Sequence, residues 1–392
     1  MTEWIECTLD KLGEIVGGAT PSTKCEDYYG GSIPWITPKD LSSFKGRYIT
    51  SGERNITEKG LASCSAQMMP KDAVLFTSRA PIGYVAIASQ SVCTNQGFKS
   101  IVVNEKADPL FVYYLLKYNK DAIEAMGSGT TFKEVSGKTM RAVKVRIPLD
   151  VSYQKRIAAV LDSLDTKIEN NERINDNLEQ QAQSYFQELF VDNADPEWTT
   201  GTISDLGAVV GGSTPSKAKP EYYTESGIAW ITPKDLSINK SKFASHGEND
   251  ITELGLKNSS AVIMPEGTVL FSSRAPIGYI AIATGEVTTN QGFKSVVPKP
   301  EIGTPFVYFF LKNTLPVIEG MASGSTFKEV SGSTMKKVPA VIPDAETLAK
   351  FSSFCAPIFA QQRILEEQNQ SLAILRDNLL PKLMSGEIDV SA

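Results

Sequence analysis

The residues with the best catalytic spacing are Ser136-Gly137-Lys138-Thr139, which resemble the end of a phosphate-binding loop. Such a loop holds phosphates with backbone N–H groups and needs a glycine at the position that Phe132 occupies. The chain contains a second copy of this segment, and that copy reads Ser331-Gly332-Ser333-Thr334, without the lysine. Both departures argue against nucleotide binding.

Metal and nucleophile chemistry also lack the residues that they need. The single histidine, His246, is replaced by Ser51 in the other copy, which excludes a shared His-based triad or zinc site. The five cysteines have no C-x-x-C spacing, and we interpret them as incidental thiols. Glu134 and Glu329 are the acids of a long repeated segment, and a structural role is favoured for both. We predict a chain without catalytic residues, a metal site or a cofactor of its own.

Polar side chains on repeated loops suit nucleic-acid binding better than catalysis. Four segments recur unchanged at nearly one offset: Trp35–Leu41, Ser78–Tyr84, Thr94–Ser100 and Thr131–Gly137 return as Trp230–Leu236, Ser273–Tyr279, Thr289–Ser295 and Thr326–Gly332. They are rich in Arg, Lys, Asn, Gln, Thr and Ser, the side chains that hold phosphates and contact base edges. From these segments and the loops beside them we predict as DNA-binding residues Lys39, Arg47, Arg79, Asn95, Gln96, Lys99, Thr131, Lys133, Lys234, Lys242, Arg274, Asn290, Gln291, Lys294, Thr326 and Lys328.

The same residues have structural alternatives. Arg79 and Arg274 each follow a strand pattern and are equally suited to an ion pair within the domain. The neighbouring amides Asn95-Gln96 and Asn290-Gln291 suit adenine, but a paired amide in a turn is the favoured interpretation. The lysines suit phosphate contacts rather than base contacts.

The composition allows DNA binding in spite of an acidic total. The chain has 392 residues, an apolar share of 41% and a net charge of −6. Residues 152–191 and 344–390 each hold four basic and seven acidic residues, which accounts for the whole excess of acid. The two globular repeats together are therefore neutral, and each can carry a basic face. No apolar run is long enough for a membrane span and the start is unlike a signal peptide, so we expect a cytoplasmic protein.

The duplication determines which elements position these loops. Short β-type runs such as Val74–Phe76 alternate with Gly, Pro and Asn, one helix is predicted to begin at Pro109, and a stretch without Gly or Pro between Pro148 and Pro196 predicts one long helix. The predicted fold is α+β: two tandem-repeat mixed α/β globular domains separated by two long antiparallel coiled-coil helices, with pseudo-twofold symmetry. The predicted segments are a first domain at 1–150, a first helix at 151–192, a second domain at 193–343 and a second helix at 344–392.

Apolar residues along the first long helix step by alternating four and three, the heptad spacing of a coiled coil, and the second helix repeats the pattern less regularly. The predicted seam contains Leu161, Leu164, Ile168, Asn171, Leu178, Leu365, Asn369, Leu372 and Leu379. If the helices pair antiparallel in register, Asn171 faces Asn369, and such a pair can fix the alignment. The alternative is that either asparagine lies at the water-exposed edge of the seam.

These features together resemble the specificity subunit of Type I restriction-modification systems over essentially the whole chain. The resemblance rests on the order of the repeated segments, on Gly17–Ser22 and Gly211–Ser216, and on the closing Leu379–Ile388. It implies a non-catalytic subunit with two target-recognition domains, each for one half of a bipartite DNA site. It also implies that the helices act as a ruler and as the dock for two methyltransferase subunits, that restriction subunits can join, and that S-adenosylmethionine, ATP and Mg belong to those partners.

An antiparallel helix pair relates two similar domains by a pseudo-twofold axis, so we predict an interrupted, nearly palindromic DNA target. The copies differ at Arg54-Asn55 against Asn249-Asp250 and at residues 42–48 against 237–243, which weakens the expected symmetry. The alternative is an adaptor that presents two similar domains to protein partners on a coiled-coil spacer. An enzyme with tandem active sites ranks last because the copies share no catalytic set.

Overall fold

The computed structural model describes residues 3–129, 133–324 and 328–390. It divides into two compact units, of which unit 1 comprises Met1–Asn170 with Asn369–Ala392 and unit 2 comprises Asn171–Gln368. Each unit therefore contains one globular repeat and part of both long helices. The four segments predicted from the sequence stay a prediction, and the packing described below shows which core each part of the long helices joins.

The described part of the repeat in unit 1 contains ten strands and five short helices, followed by a long helix that unit 2 shares. The strands are β1 (Trp4–Thr8), β2 (Gly13–Gly17), β3 (Tyr29–Ile36), β4 (Tyr48–Ile49), β5 (Arg54–Ile56), β6 (Val74–Ser78), β7 (Ile82–Ala88), β8 (Cys93–Thr94), β9 (Lys99–Val103) and β10 (Lys144–Pro148). The helices are α1 (Pro38–Ser42), α2 (Glu58–Ala62), α3 (Pro109–Tyr118), α4 (Lys120–Ala125), α5 (Gly137–Ala142) and α6 (Val151–Gln187), and the 3₁₀ turns are Leu9–Lys11 and Glu26–Tyr28.

Three sheets build unit 1. The central sheet has the order β2-β9-β6-β7-β4, a small sheet has the order β5-β3-β8, and β1 pairs with β10. The central sheet is mixed, because β4 runs parallel to β7 while the other pairs are antiparallel. Helix α3 packs its buried face, which includes Phe111 and Tyr114, on this sheet, and the same core contains Ile157 and Leu161 of α6 and Leu383 from the C-terminal part of the chain. The long helices therefore complete the core of the domain.

Helix α3 begins as the sequence predicts. The Asp108 carboxylate accepts a hydrogen bond from the Phe111 N–H (3.0 Å), and Pro109 occupies the first helical position. The helix ends at Tyr118, where the Asn119 side chain donates to the Leu115 carbonyl (2.8 Å) and competes with the backbone ladder.

Unit 2 repeats this plan. Its strands are β11 (Thr199–Thr202), β12 (Gly207–Gly211), β13 (Tyr223–Thr224), β14 (Trp230–Ile231), β15 (Phe243–Ala244), β16 (Asp250–Ile251), β17 (Val269–Ser273), β18 (Ile277–Ala283), β19 (Thr288–Thr289), β20 (Lys294–Pro298) and β21 (Pro339–Ile342). Its helices are α7 (Ile203–Leu206), α8 (Pro233–Ile238), α9 (Glu253–Lys257), α10 (Thr304–Gly320), α11 (Gly332–Lys336) and α12 (Ala345–Ser385), with a π-helical turn at Glu188–Asp192 and a 3₁₀ turn at Pro220–Tyr222.

The central sheet of unit 2 has the order β12-β20-β17-β18-β15, which matches the central sheet of unit 1 strand for strand. Its core is more aromatic: Phe186 of α6, Phe306 and Phe309 of α10, and Phe351 of α12 pack together within 6 Å between ring centroids. The sheets and helices of both units confirm the predicted α+β class with two tandem mixed α/β domains.

Within each unit, the segments of α6 and α12 run antiparallel. In unit 1, Asp165 contacts Arg376 while Ile168 contacts Asn369, so the partner number falls as the helix advances. In unit 2, Asn171 contacts Gln368 while Asn175 contacts Gln362. Among the residues that the structure describes, no helix combines the length and apolar character that a membrane crossing needs.

Candidate nucleic-acid interface

The repeated segments meet at one place in each unit, and Ser78 is their junction in unit 1. The Ser78 N–H donates to the Gly97 carbonyl (2.7 Å), and the Ser78 carbonyl accepts from the Val135 N–H (2.9 Å). These bonds join the end of β6 to the Asn-Gln-Gly turn and to the segment that contains Glu134. In unit 2, Ser273 makes the same two bonds, to Gly292 (2.7 Å) and from Val330 (3.0 Å). The sequence did not indicate that these loops converge.

The Trp-Ile-Thr-Pro segments join the same junction. The Asn95 N–H donates to the Ile36 carbonyl (3.0 Å), and the Asn290 N–H donates to the Ile231 carbonyl (3.0 Å). The Gly-Gly segments lie against this turn so closely that a Cβ at Gly18 would collide with the Asn95 carbonyl. Five repeated segments thus build one surface per unit, which is the surface we designate the candidate interface.

Each interface contains two cations that share one carboxylate. In unit 1, Arg79 Nη1 lies 3.5 Å from Glu134 Oε2, and Lys99 Nζ lies 3.4 Å from Glu134 Oε1. In unit 2, Arg274 Nη1 lies 3.3 Å from Glu329 Oε2, and Lys294 Nζ lies 3.7 Å from Glu329 Oε1. The ion pair that the sequence left open for the arginines is therefore formed. Each cluster keeps one net positive charge, which a phosphate oxygen can use.

The arginines remain accessible in these clusters. The side chains of Arg79 and Arg274 are 34% and 37% exposed. Lys294 is more enclosed, and burial lowers its pKa although the Glu329 carboxylate opposes that shift. The predicted structural role of Glu134 and Glu329 stays a prediction, but the structure adds a function in charge balance that their repetition alone did not show.

The side-chain oxygens of the Asn-Gln turns accept hydrogen bonds from groups of their own domain. Asn95 Oδ1 accepts from the Gly97 N–H (2.8 Å), and Asn290 Oδ1 accepts from the Gly292 N–H (2.8 Å). The Thr20 hydroxyl is hydrogen-bonded to Gln96 Oε1, and the equivalent residues of unit 2 repeat that contact. A two-point contact with adenine needs both the oxygen and the NH₂ group, so the turn interpretation fits the geometry better. The NH₂ groups make no hydrogen bond within the described residues.

The lysines after Trp-Ile-Thr-Pro are exposed and held by a second acid. Lys39 Nζ lies 2.7 Å from Glu53 Oε2, and Lys234 Nζ lies 2.6 Å from Glu248 Oε2, a contact that raises the pKa of both lysines. The neighbouring Asp40 is committed to structure, because its carboxylate accepts from the N–H groups of Thr37 and Glu53. Lys133 and Lys328 are exposed as predicted residues of the interface. Thr131 and Thr326 lie outside the described residues.

A cleft of about 370 Å³ opens on the interface of unit 2. Its walls are Thr214, Lys217, Trp230, Thr232, Pro233, Lys234, Asp235, Glu248, Asn249, Asn290 and Gln291. Trp230 forms a fixed wall, because its indole N–H donates to the Ser213 carbonyl (3.0 Å), and Trp35 makes the same bond to Ala19 (3.0 Å). The sequence shows that Asn249 replaces Arg54, but the predicted DNA-binding residues came mainly from segments that repeat and include neither Lys217 nor Asn249.

Two of the predicted DNA-binding residues are buried instead. The Arg47 guanidinium bonds Thr166 Oγ1 (2.8 Å) and pairs with Asp162 (3.2 Å) and Glu169 (3.3 Å) on α6. Arg47 is only 6% exposed, so its charge is paired within unit 1 and is not available at the surface. We therefore remove Arg47 from the interface.

Lys242 occupies the equivalent position of unit 2. Its Nζ lies 2.7 Å from Glu179 Oε2 and 2.9 Å from Gln362 Oε1, under the ring of Phe359 at 3.5 Å from the centroid. Burial lowers the pKa of Lys242 to about 8, although the Glu179 carboxylate opposes that shift. Lys242 leaves the interface for the same reason. The divergent loops that contain these two residues attach the domain to the helices.

The predicted seam residues are all buried or half-buried. Leu161, Asn171 and Leu365 are buried, and the other six are half-buried. The Asn171 amide donates to Gln368 Oε1 (3.4 Å), and the Asn369 amide donates to the Ile168 carbonyl (3.3 Å). The hypothesis that the two asparagines fix the register stays a prediction. In the described residues, no group of three or more His, Cys, Asp or Glu side chains could hold a metal ion.

The chain is similar to known proteins of one family. Residues 1–180 and 196–375 both match the family model described as the Type I restriction modification DNA specificity domain. The chain is 32% identical to the Type I restriction enzyme MjaIX specificity subunit of Methanocaldococcus jannaschii, covering 99% of this chain and 94% of that protein. It is 24% identical to the HindI specificity subunit of Haemophilus influenzae, over 74% of this chain and 80% of that protein.

A solved structure shares the fold. The crystal structure of the Type I restriction-modification S subunit from M. genitalium superimposes with a TM-score of 0.61 at 18% identity, covering 97% of this chain and 96% of that chain. That likeness confirms the architecture of two tandem domains with long helices.

Proposed function

Because this chain belongs to the family of Type I restriction-modification DNA specificity proteins, we propose that it is a non-catalytic subunit in which each domain binds one half of a bipartite DNA site. The observation that carries the proposal is the convergence of five repeated segments on one surface in each unit. Both surfaces contain two cations around one carboxylate, exposed lysines, and amide NH₂ groups that have no hydrogen-bond partner among the described residues. These groups bind phosphates and base edges, and they form no catalytic set.

The division of labour within each surface follows from chemistry. Arg79, Lys99 and Lys133, with their equivalents in unit 2, suit phosphate oxygens because they are cationic side chains on loops. The cleft beside Trp230 suits a base edge, because a rigid aromatic wall and uncommitted polar groups line it. Phosphate contacts position the domain, and contacts in the cleft distinguish sequences.

The helices supply the spacing in this proposal. Two domains at a fixed separation bind half-sites about one DNA turn apart, and similar domains in antiparallel arrangement favour an interrupted, nearly palindromic target. The helices also dock two methyltransferase subunits, and restriction subunits can join that complex. S-adenosylmethionine, ATP and Mg belong to these partners, and such a complex acts on chromosomal DNA in the cytoplasm.

The test is to co-express the chain with the methyltransferase subunit encoded beside it and to map methylated bases across the host DNA. We expect one interrupted motif with two inverted, similar halves, and no motif from the methyltransferase subunit alone. An assembled and active complex that leaves no sequence motif would contradict the proposal and favour the adaptor.

A further inference from the structure

The wall residues of the unit 2 cleft differ from the equivalent residues of unit 1 at only two positions. Nine of the eleven wall residues are identical in the equivalent places of unit 1, from Thr20 and Trp35 to Asn95 and Gln96. The two differences are Lys217, which replaces Thr23, and Asn249, which replaces Arg54. The cleft walls of unit 2 and the equivalent residues of unit 1 therefore differ chemically at these two positions only.

The residues around these positions make matching contacts in both units, so Arg54 and Asn249 stand at equivalent positions of the backbone. Trp35 and Trp230 make the same indole bond, the Lys39–Glu53 and Lys234–Glu248 pairs match within 0.1 Å, and both amide turns have the same internal bonds. Arg54 and Asn249 each follow the glutamate of that lysine pair. Each begins or precedes a short strand, β5 or β16.

The differing side chains are available to a ligand. Arg54, Lys217 and Asn249 are all exposed, and their side chains make no hydrogen bond or ion pair within the described residues. Arg54 lies over the Tyr29 ring at 4.3 Å from the centroid, which holds the guanidinium plane while its N–H groups stay free. Asn249 differs from Asn290 in the same cleft, because the Asn290 oxygen is already used by Gly292.

We propose that Arg54 and Asn249 determine where the two half-sites differ, Arg54 by contacting guanine and Asn249 by contacting adenine at the equivalent base. This inference rests on the proposed function. The arginine fork matches the O6 and N7 acceptors of guanine, whereas the asparagine amide matches N6 and N7 of adenine. Lys217 has one point charge and suits a phosphate beside the Asn249 contact, so it adds affinity to that half without adding sequence preference.

The first test is the wild-type motif itself. We expect two halves that are similar but carry guanine in one half where the other carries adenine. A perfect palindrome overturns the inference while it leaves the proposed function intact. Absence of any motif from an active complex overturns the proposed function, so the two failures are distinguishable.

The second test exchanges the two side chains in the assembled complex. Arg54→Asn is expected to change the guanine of one half to adenine and so make the motif more symmetric, and Asn249→Arg is expected to do the reverse in the other half. Both positions are exposed, and each variant tests the idea without the other. Competition binding with duplexes that differ at this one base should show preferences that shift roughly tenfold to a hundredfold. A motif and preference unchanged in both variants overturns the inference.

Two matched variants separate base contact from charge. Arg54→Lys keeps a cation near Tyr29 but loses the fork, so the guanine preference should relax without a switch to adenine. Lys217→Thr installs the residue of unit 1 and should weaken binding to all sequences equally. A change of the preferred base in Lys217→Thr, or a fully retained guanine preference in Arg54→Lys, would assign the discrimination elsewhere.

Discussion

The two units agree in the charged clusters of the proposed DNA surface and disagree in the contacts that hold their own helices. The interface clusters around Glu134 and Glu329 have the same residues at nearly the same distances. The buried anchors at Arg47 and Lys242 occupy equivalent positions but use different chemistry. Arg47 pairs with carboxylates of α6, whereas Lys242 lies beneath aromatic rings and bonds one carboxylate, Glu179.

The difference between the two buried anchors shows that their contacts were free to change after the duplication. A buried cation needs a partner, but many arrangements of carboxylates, amides and rings can supply one. The residue of α6 that is equivalent to Phe359 of α12 is Asp165. Its carboxylate accepts hydrogen bonds from Tyr114 (2.7 Å) and Arg376 (2.7 Å). The anchor could therefore diverge with its helix, whereas the clusters around Glu134 and Glu329 kept the same residues in both units.

The largest effect is expected from Glu179→Ala. The Glu179 carboxylate is the anion for both Lys242 (2.7 Å) and Lys312 (2.5 Å), and it also accepts from Tyr308 (3.1 Å). Its loss removes the ion-pair partner of the buried Lys242 ammonium group, which costs about 3–5 kcal/mol. Hydrogen exchange resolved by peptide should show faster opening of β15 and α10 and no change in unit 1. Gln180→Ala, at an exposed neighbour, should change stability by less than about 0.5 kcal/mol; a similar small effect in Glu179→Ala would contradict the anchor.

The second prediction concerns the stability that Glu179 contributes at acidic pH. Burial raises the pKa of Glu179, but the two ammonium groups outweigh burial and bring the pKa to about 2, below its ordinary 4.5. Because the folded pKa is depressed, the stabilisation is present above about pH 4.5 and is lost as the pH falls towards 2, by about 3 kcal/mol in total. The stability gap between the wild type and Glu179→Gln should therefore narrow across that window. A gap that is constant from pH 5 to pH 2.5 would show that Glu179 titrates normally.

The third prediction exchanges the two cations. Arg47→Lys loses the planar fork that reaches Thr166 and two carboxylates, and Lys242→Arg forces a larger head group under the ring of Phe359. Each exchange should cost about 1–3 kcal/mol in its own unit, the first by lost pairing and the second by overpacking. Exposed Lys59→Arg is the control and should be neutral. If both exchanges are neutral by hydrogen exchange, the anchors are not matched to their cations.

The sequence predicted the fold well because the duplication reports it twice. Short β-type runs, the cap at Asp108 and the heptad spacing of α6 are local signals, and the strands and helices followed them. The division of the long helices between two compact units could not be predicted in this way. It depends on side chains such as Phe186 and Leu383 that pack into cores far away in sequence.

The site was predictable only in part, for a related reason. Repetition identified Arg79, Asn95 and their equivalents, but it could not show that Glu134 neutralises one of two cations or that Asn95 spends its oxygen on Gly97. Charge alone also suggested Arg47 and Lys242 for DNA, because burial against a distant helix leaves no local signal. The sequence showed that Arg54 and Asn249 differ, but only the structure shows that Asn249 lines the cleft of unit 2 and that both side chains are exposed.

The smallest predicted effect is that of removing Arg79 or Arg274, and it should be equal in the two units. Arg79→Ala and Arg274→Ala each remove one phosphate-binding cation from matched clusters, so each should reduce the slope of log affinity against log salt concentration by about 1 and weaken binding uniformly across sequences. Glu134→Gln and Glu329→Gln are the matched controls, because they release a second cation from its carboxylate and should steepen that slope instead. Unequal effects in the two units, or a slope that none of the four changes moves, would mean that the shared geometry serves the domain and not DNA. Equal and opposite shifts would establish that the duplicated surface was retained for its ligand, since the anchors, which serve only the fold, diverged.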